Sequence, residues 1–158
     1  MSPKKILVTG ATRGLGLAIA SRLAQDGFHV IATGRCSSAE LEDVIGSLQG
    51  AVGQISFRPL DLADTASLHP FVNSLVKEPG TLYGLVNNAA VAHDGVLATM
   101  HESEIAEMVG VNVTGTIMLT KYAVRAMLLG GEGRIVNIAS IIGVTGFNGL
   151  SVYGATKA

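Results

Sequence analysis

Apolar residues along this chain come in short consecutive runs, separated by longer stretches in which they recur with helical spacing. Ile6, Leu7 and Val8 in KILVTG are followed by Leu15, Ala18, Ile19 and Leu23, which share one helical face, and then by Val30, Ile31 and Ala32 in FHVIATG. That order predicts strand, helix, strand. The alternation continues with a helix over residues 39–48, a strand at ISFRPL, a helix over 66–76, a strand at LYGLVN, a long helix over 105–129 and a strand at GRIVNIAS. Five strands and four complete helices result, with a last short helical segment over 151–158. Strands that are apolar at consecutive rather than alternate positions must be covered on both faces, which is the pattern of a parallel sheet sandwiched between helices. The predicted fold is an open, doubly wound α/β sheet.

With 48% hydrophobic residues in 158, the chain has the material for one core, so a single domain over 1–158 is expected. Eleven basic against twelve acidic side chains leave a net charge of -1, without the basic footprint of a nucleic-acid binder, so a small molecule is the expected partner. Cys36 is the single cysteine and the four histidines have no zinc-ligand spacing; this points to a reducing cytoplasm and no metal. The apolar run near the amino terminus, Ile6 to Val8, is too short for a signal-peptide core. Residues 105–129 are interrupted by Glu107, Asn112, Thr114, Thr116, Lys121 and Arg125, which fits a packed helix better than a membrane span. Gly46, Gly50 and Gly53 read as punctuation after a helix.

The stretch VTGATRGLG joins the first strand to the first helix and places Gly10, Gly14 and Gly16 where backbone must bend sharply or approach a ligand. A helix amino terminus offers unpaired N–H groups and the positive end of a dipole, both favourable to a pyrophosphate. The spacing is G-x-x-x-G-x-G with no following Gly-Lys-Ser/Thr, which disfavours a nucleoside-triphosphate loop. Thr12 and Leu15 complete this turn. At the end of the second strand, where an acid would meet a ribose 2′-hydroxyl, the chain has Arg35. Its guanidinium suits a 2′-phosphate, and Arg13 could converge on the same group, so NADPH is expected over NADH. Asp61, after the third strand and followed by Leu62, could accept from an adenine amino group or cap the next helix, although Asp64 is better placed to cap.

Further segments then fall into place. Asn87-Asn88-Ala89 follows the fourth strand, Asn112 lies in the long helix, and Ser140 stands thirteen residues before Tyr153, which begins Tyr153-x-x-x-Lys157. Together with Thr9-Gly10-x-x-x-Gly14-x-Gly16 these resemble the motifs of the short-chain dehydrogenase/reductase family, in order and from the first strand to the last residue. The resemblance implies a Rossmann-type fold with NADP as cofactor, and contacts to it from Asn88, Ala89 and Ala90 as well as from the glycine turn. It also implies four catalytic residues. Tyr153 would protonate a carbonyl oxygen as hydride arrives, Ser140 would hold that oxygen, Lys157 would contact the nicotinamide ribose, and Asn112 would anchor a water-linked proton path to the lysine. The pairing has its own logic, because residues four apart share a helical face, and an ammonium there stabilises the phenolate form of a neighbouring phenol. Ala90 stands where the family has glycine, adding a methyl beside the expected cofactor path.

Within that family the segments NNAAVAHDGVLATM, VNVTG and GRIVNIASIIG are most similar to 3-oxoacyl-acyl-carrier-protein reductases. The resemblance thus implies reduction of a ketone or acyl thioester in fatty acid biosynthesis, with an acyl carrier protein as candidate partner and a tetramer or dimer as the assembly. The chain departs from it after the long helix, where Leu128, Leu129, Gly130, Gly131 and Glu132 replace the basic residues that would meet an acidic carrier. A reductase of a free ketone, sugar or steroid is the alternative, and a non-catalytic NADP-binding module is the alternative of another class. Ile117, Met118, Ala123, Met127 and Leu128 could pack across subunits or on the chain's own sheet. Family members continue into sixth and seventh strands, so the expectation is of a chain truncated at its carboxyl end, its fifth strand a bare apolar edge.

Overall fold

The computed structural model describes residues 4–48 and 52–158, so Gly50 lies outside the described residues. Five parallel strands form one sheet: β1 (Lys4–Val8), β2 (His29–Gly34), β3 (Gln54–Pro59), β4 (Thr81–Asn87) and β5 (Arg134–Asn137), in the order β3-β2-β1-β4-β5. The chain moves outward from β1 in one direction through β2 and β3, then crosses back to lay β4 on the other side of β1. That reversal leaves a crevice at the carboxyl ends of β1 and β4, the position where open α/β sheets bind ligands. Between the strands run α1 (Gly14–Gln25), α2 (Ala39–Ser47), α3 (Thr65–Lys77), α4 (Glu102–Val109) and α5 (Thr116–Gly130), and α6 (Ser151–Lys157) follows β5.

Consecutive apolar residues in each strand feed two separate cores, as the unbroken runs in the sequence require. Leu7, Ile31 and Leu85 face one side, with Leu68, Val72 and Leu75 of α3 and Leu119, Ala123 and Met127 of α5. Ile6, Val8, Val30, Ala32 and Val86 face the other, with Leu17, Ala20 and Ala24 of α1 and Leu41 of α2. The doubly wound parallel sheet is therefore the observed architecture.

Four details differ from the sequence reading. The buried face of α1 is Gly16, Leu17, Ala20 and Ala24; Ile19 and Leu23 flank it half-buried, while Leu15 is 58% exposed and Ala18 is exposed. Glycine and alanine let this helix approach the sheet closely, and that turns Leu15 away from the core. Gly53 is a packing requirement rather than punctuation, since a Cβ there would lie 2.8 Å from the carbonyl carbon of Gly27 and collide with the Ala24 and Phe28 carbonyl oxygens. Asp64 precedes α3 without a side-chain capping bond; Asp61 instead accepts from the Ala63 N–H at 2.9 Å and folds its own loop. The segment GRIVNIAS supplies only a four-residue strand, because Ser140 caps a short 3-10 turn (Ile141–Gly143) by accepting from the Ile142 N–H at 3.2 Å. All four residues of β5 are exposed along the sheet edge.

The long helix is observed from Glu102 to Gly130 but not as one regular helix: Gly110–Gly115 winds as a π-helix between α4 and α5. Gly115 sets this wide turn against the Leu62 backbone, where a Cβ would come within 2.9 Å of the carbonyl carbon. No helix among the described residues is long and apolar enough to cross a membrane. Lys5, beside the apolar run of β1, is completely buried. Its ammonium donates to the carbonyls of Leu75 and, at 3.1 Å, Glu78, at the carboxyl end of α3, where the helix dipole favours a cation. Burial lowers its pKa, and the Glu78 carboxylate partly opposes that shift.

Candidate functional site

The glycine turn is held open by its neighbour across the sheet. Thr9, buried at the end of β1, accepts at its hydroxyl from the N–H groups of Asn88 and Ala89, both at 3.0 Å. In return, the Asn88 amide donates to the carbonyls of Thr9 at 2.9 Å and Gly10 at 3.0 Å. Gly10 and Gly14 have φ of 62° and 56°, left-handed conformations that favour glycine. Gly16 has no room for a side chain, since a Cβ would sit 2.5 Å from the Asn88 amide nitrogen. Gly34, closing β2, is equally constrained by Thr12, whose methyl would lie 2.7 Å from an added Cβ. The turns after β1, β2 and β4 are thus locked into one piece.

These turns form a cleft of about 440 Å³ at the switch point. Gly10, Thr12, Arg13, Gly14, Leu15 and Gly16 line its floor at the start of α1. Arg35 lines the β2 side, Asp61 and Leu62 the β3 side, and Asn88, Ala89 and Ala90 the β4 side. The exposure of Leu15 is explained here, because the side chain covers the cleft and not the core. Ala90 is exposed on that wall, and no residue but glycine has positive φ among those described, so its methyl strains nothing. Thr33 and Gly34, which precede Arg35, also line the cleft, and so do Leu60, Val91, Glu107 and Val111, to which the sequence assigned no place in the site. Only the tertiary fold brings the last two, from the long helix, to the cleft that Asp61 also lines.

The cleft's electrostatics suit a phosphorylated dinucleotide. No acidic residue occupies the first turn of α1, whose N–H groups open onto the glycines. The guanidinium ion pairs among the described residues are made by Arg22 and Arg58. Arg13 and Arg35 make none, and both are exposed at the cleft. A glycine cradle and two free guanidinium groups fit a pyrophosphate and a further phosphate.

Asn112 belongs to the π-helical turn and is buried. Its amide accepts from the Val91 N–H and donates to the Val91 carbonyl, both at 2.8 Å, and donates to the Thr156 hydroxyl at 3.0 Å. Both amide N–H bonds are thereby committed to fastening the loop after β4 to α6. Helix α6 also packs on the turn that Ser140 caps: a Cβ on Gly154 would lie 3.0 Å from the Ile142 carbonyl oxygen, and one on Gly143 would run into the Lys157 carbonyl. Lys157 donates to the Ile138 carbonyl at 3.0 Å, and desolvation lowers its pKa from the usual 10.5. Tyr153 and Ser140 are half-buried.

A second cleft of about 470 Å³ is lined by Asn112 and Lys157, along with Asn87, Thr120, Asn137 and Thr156. Ala89 lines both clefts. Tyr153 and Ser140 line neither; Tyr153 shares α6 with Lys157, and α6 is tied to Asn112 through Thr156 and packs on the turn that Ser140 caps.

The description short chain dehydrogenase matches residues 4–158. The chain belongs to the short-chain dehydrogenase family. Among curated relatives, the 3-oxoacyl-acyl-carrier-protein reductase of Thermotoga maritima is 33% identical over 98% of this chain and 63% of its own length. The Escherichia coli K12 enzyme of the same name is 36% identical over 98% of this chain and 62% of its own. Among solved structures, a metagenomic short-chain oxidoreductase in complex with NADP superposes with a TM-score of 0.89 at 31% identity, over 98% of this chain and 70% of the other. A 3-oxoacyl-acyl-carrier-protein reductase from Brucella melitensis in complex with NAD gives 0.87 at 33%, over 99% and 63%. This dehydrogenase-family chain thus spans less than two thirds of the length of the curated relatives it matches.

Proposed function

We propose that the protein is an oxidoreductase that reduces a ketone to an alcohol with NADPH. The observation that carries this reading is the clamp made by Asn112: it ties α6, with its Tyr153 and Lys157, to the loop whose Ala89 walls both clefts. A reduced nicotinamide reaching from the glycine cradle would supply hydride to a carbonyl carbon. Tyr153 donates the proton to the carbonyl oxygen. The Ser140 hydroxyl oxygen accepts from Ile142, which leaves its hydrogen to donate to the same oxygen. Lys157 spends one N–H on Ile138 and keeps the others for a ribose hydroxyl and the phenol. Asn112 positions rather than reacts, and any water path to the lysine runs past its committed amide.

The names of the curated relatives support a 3-oxoacyl thioester as substrate, and an acyl carrier protein as its bearer. A free ketone is favoured by one local observation: Leu128 and Leu129 are exposed where a carrier would meet basic residues, and Glu132 is paired with Lys4 at 2.7 Å. We place the protein in the cytoplasm. A dimer or tetramer is supported by Ile117 and Leu128 facing outward from α5, whereas Ala123 and Met127 of the same helix are spent on the chain's own core.

Tyr153→Phe tests the reading. NADPH affinity should stay within about twofold, and reduction of acyl thioesters and of simple ketones should fall at least about a hundredfold, the scale of general acid catalysis. Undiminished turnover by the phenylalanine variant removes the proposed chemistry.

A further inference from the structure

The loop after β4 and the loop after β5 meet in a backbone hydrogen bond: the Gly95 N–H donates to the Gly149 carbonyl at 2.9 Å. Neither residue lines the cofactor cleft or the cleft of Lys157. Gly149 has a φ of 78°, a left-handed conformation, and a Cβ added there would come no nearer than 3.6 Å to Gly95. The position therefore takes glycine for its backbone shape and not for want of room.

The first turn of a helix is its least anchored part, because its N–H groups have no partners inside the helix. Tyr153 lies in that turn of α6, and Leu150, which precedes the helix, supplies no side-chain cap. Backbone bonds hold the chain there instead. Leu150 donates to the Phe147 carbonyl at 3.2 Å, and the Leu150 carbonyl accepts from the Gly154 N–H at 2.7 Å. The other end of α6 is tied through Thr156 to Asn112, which also grips Val91 on the loop that carries Gly95. The bond to Gly149, the residue before Leu150, thus reaches the Tyr153 turn from the end that Asn112 does not hold.

We propose that Gly95 and Gly149 are positioning residues for the reaction: their backbone bond sets where α6 begins, and so where the Tyr153 hydroxyl stands against the carbonyl oxygen. The inference rests on the reductase reading of Tyr153 and extends it to what places the phenol. Ser140 and Tyr153 flank the loop that carries Gly149, so displacing that loop shifts the two groups relative to each other.

Steady-state kinetics and hydrogen exchange on variants of the two glycines test this. Gly95→Pro has no N–H and removes the bond. Its kcat for carbonyl reduction should fall about ten- to a hundredfold, the scale of a reacting group misplaced by about 1 Å. NADPH affinity should stay within about twofold, since the glycine cradle is untouched. Exchange at the Gly154 amide should quicken about tenfold, the scale of one lost hydrogen bond. Gly95→Ala keeps the donor, and its Cβ would lie 3.6 Å from the Met100 Cε, so it should retain most of the wild-type kcat. Gly149→Asn, a residue type that tolerates positive φ, should lose less kcat than Gly149→Val, which is strained there. Wild-type kcat or unchanged Gly154 exchange in Gly95→Pro, an equal loss in Gly95→Ala, or a Gly149→Asn no better than Gly149→Val overturns the inference. The reductase reading then stands or falls on Tyr153→Phe alone. A wild-type protein that reduces no carbonyl overturns both.

Discussion

A single side chain's chemistry is set by what it is already bonded to. Lys157 is the clearest case: sequence places it one turn from a phenol, but the structure adds that its ammonium is partly desolvated and anchored to the Ile138 carbonyl. Burial lowers its pKa, so the cationic form is complete at low pH and is lost as pH rises through a value below 10.5. If that cation supports proton transfer, carbonyl reduction should decline on the alkaline side earlier than an ordinary lysine would allow. Whatever activity Lys157→Arg retains should decline at higher pH, which a kcat/KM profile would register. Ser140, Tyr153 and Lys157 could be proposed from the sequence because each carries a reactive group at a diagnostic spacing. Thr156 and Ile138 could not, since a hydroxyl and a backbone carbonyl acquire meaning only from the partner that folding brings.

At the scale of elements, glycines and one asparagine do the positioning. The glycine turn could be read from spacing alone, because positive φ and the absence of a Cβ are properties glycine has wherever it stands. What the spacing could not show is that Gly16 faces the Asn88 amide of the loop after β4. Gly16→Ala should cost about 3 kcal/mol of stability by overpacking, and denaturant titration would measure it; NADPH binding should weaken further as the turn opens. The π-helical turn was invisible in the long apolar period, since one widened turn shifts the register of a helix without changing which residue types it prefers. Asn112→Ala removes the partners of the Val91 N–H and carbonyl and leaves the Thr156 hydroxyl with its bond to the Tyr153 carbonyl alone, and should destabilise the chain by about 3 kcal/mol in the same titration. Its kcat should drop more than its NADPH affinity, because α6 loses its tie while the glycine cradle does not.

Over the whole molecule, the site exists because the chain reverses the direction in which it adds strands at β1. Arg13 and Arg35 are on different loops, and the ends of β1 and β2 bring them to one cleft. Replacing both with alanine should lower affinity for NADPH by about ten- to a hundredfold and leave NADH nearly unchanged, in equilibrium fluorescence titrations of the two cofactors. The wild-type preference should shrink as salt is raised. The strand periods, the two-faced burial of the sheet and the residue types suited to phosphate and proton transfer were determined by the sequence itself, since each depends on neighbours a few positions apart. The burial of Lys5, the outward turn of Leu15, the Asn112 clamp and the place of Glu107 on the same cleft as Asp61 were decided only by tertiary structure. These join residues dozens of positions apart, and their energies come from desolvation and close packing that local sequence does not encode.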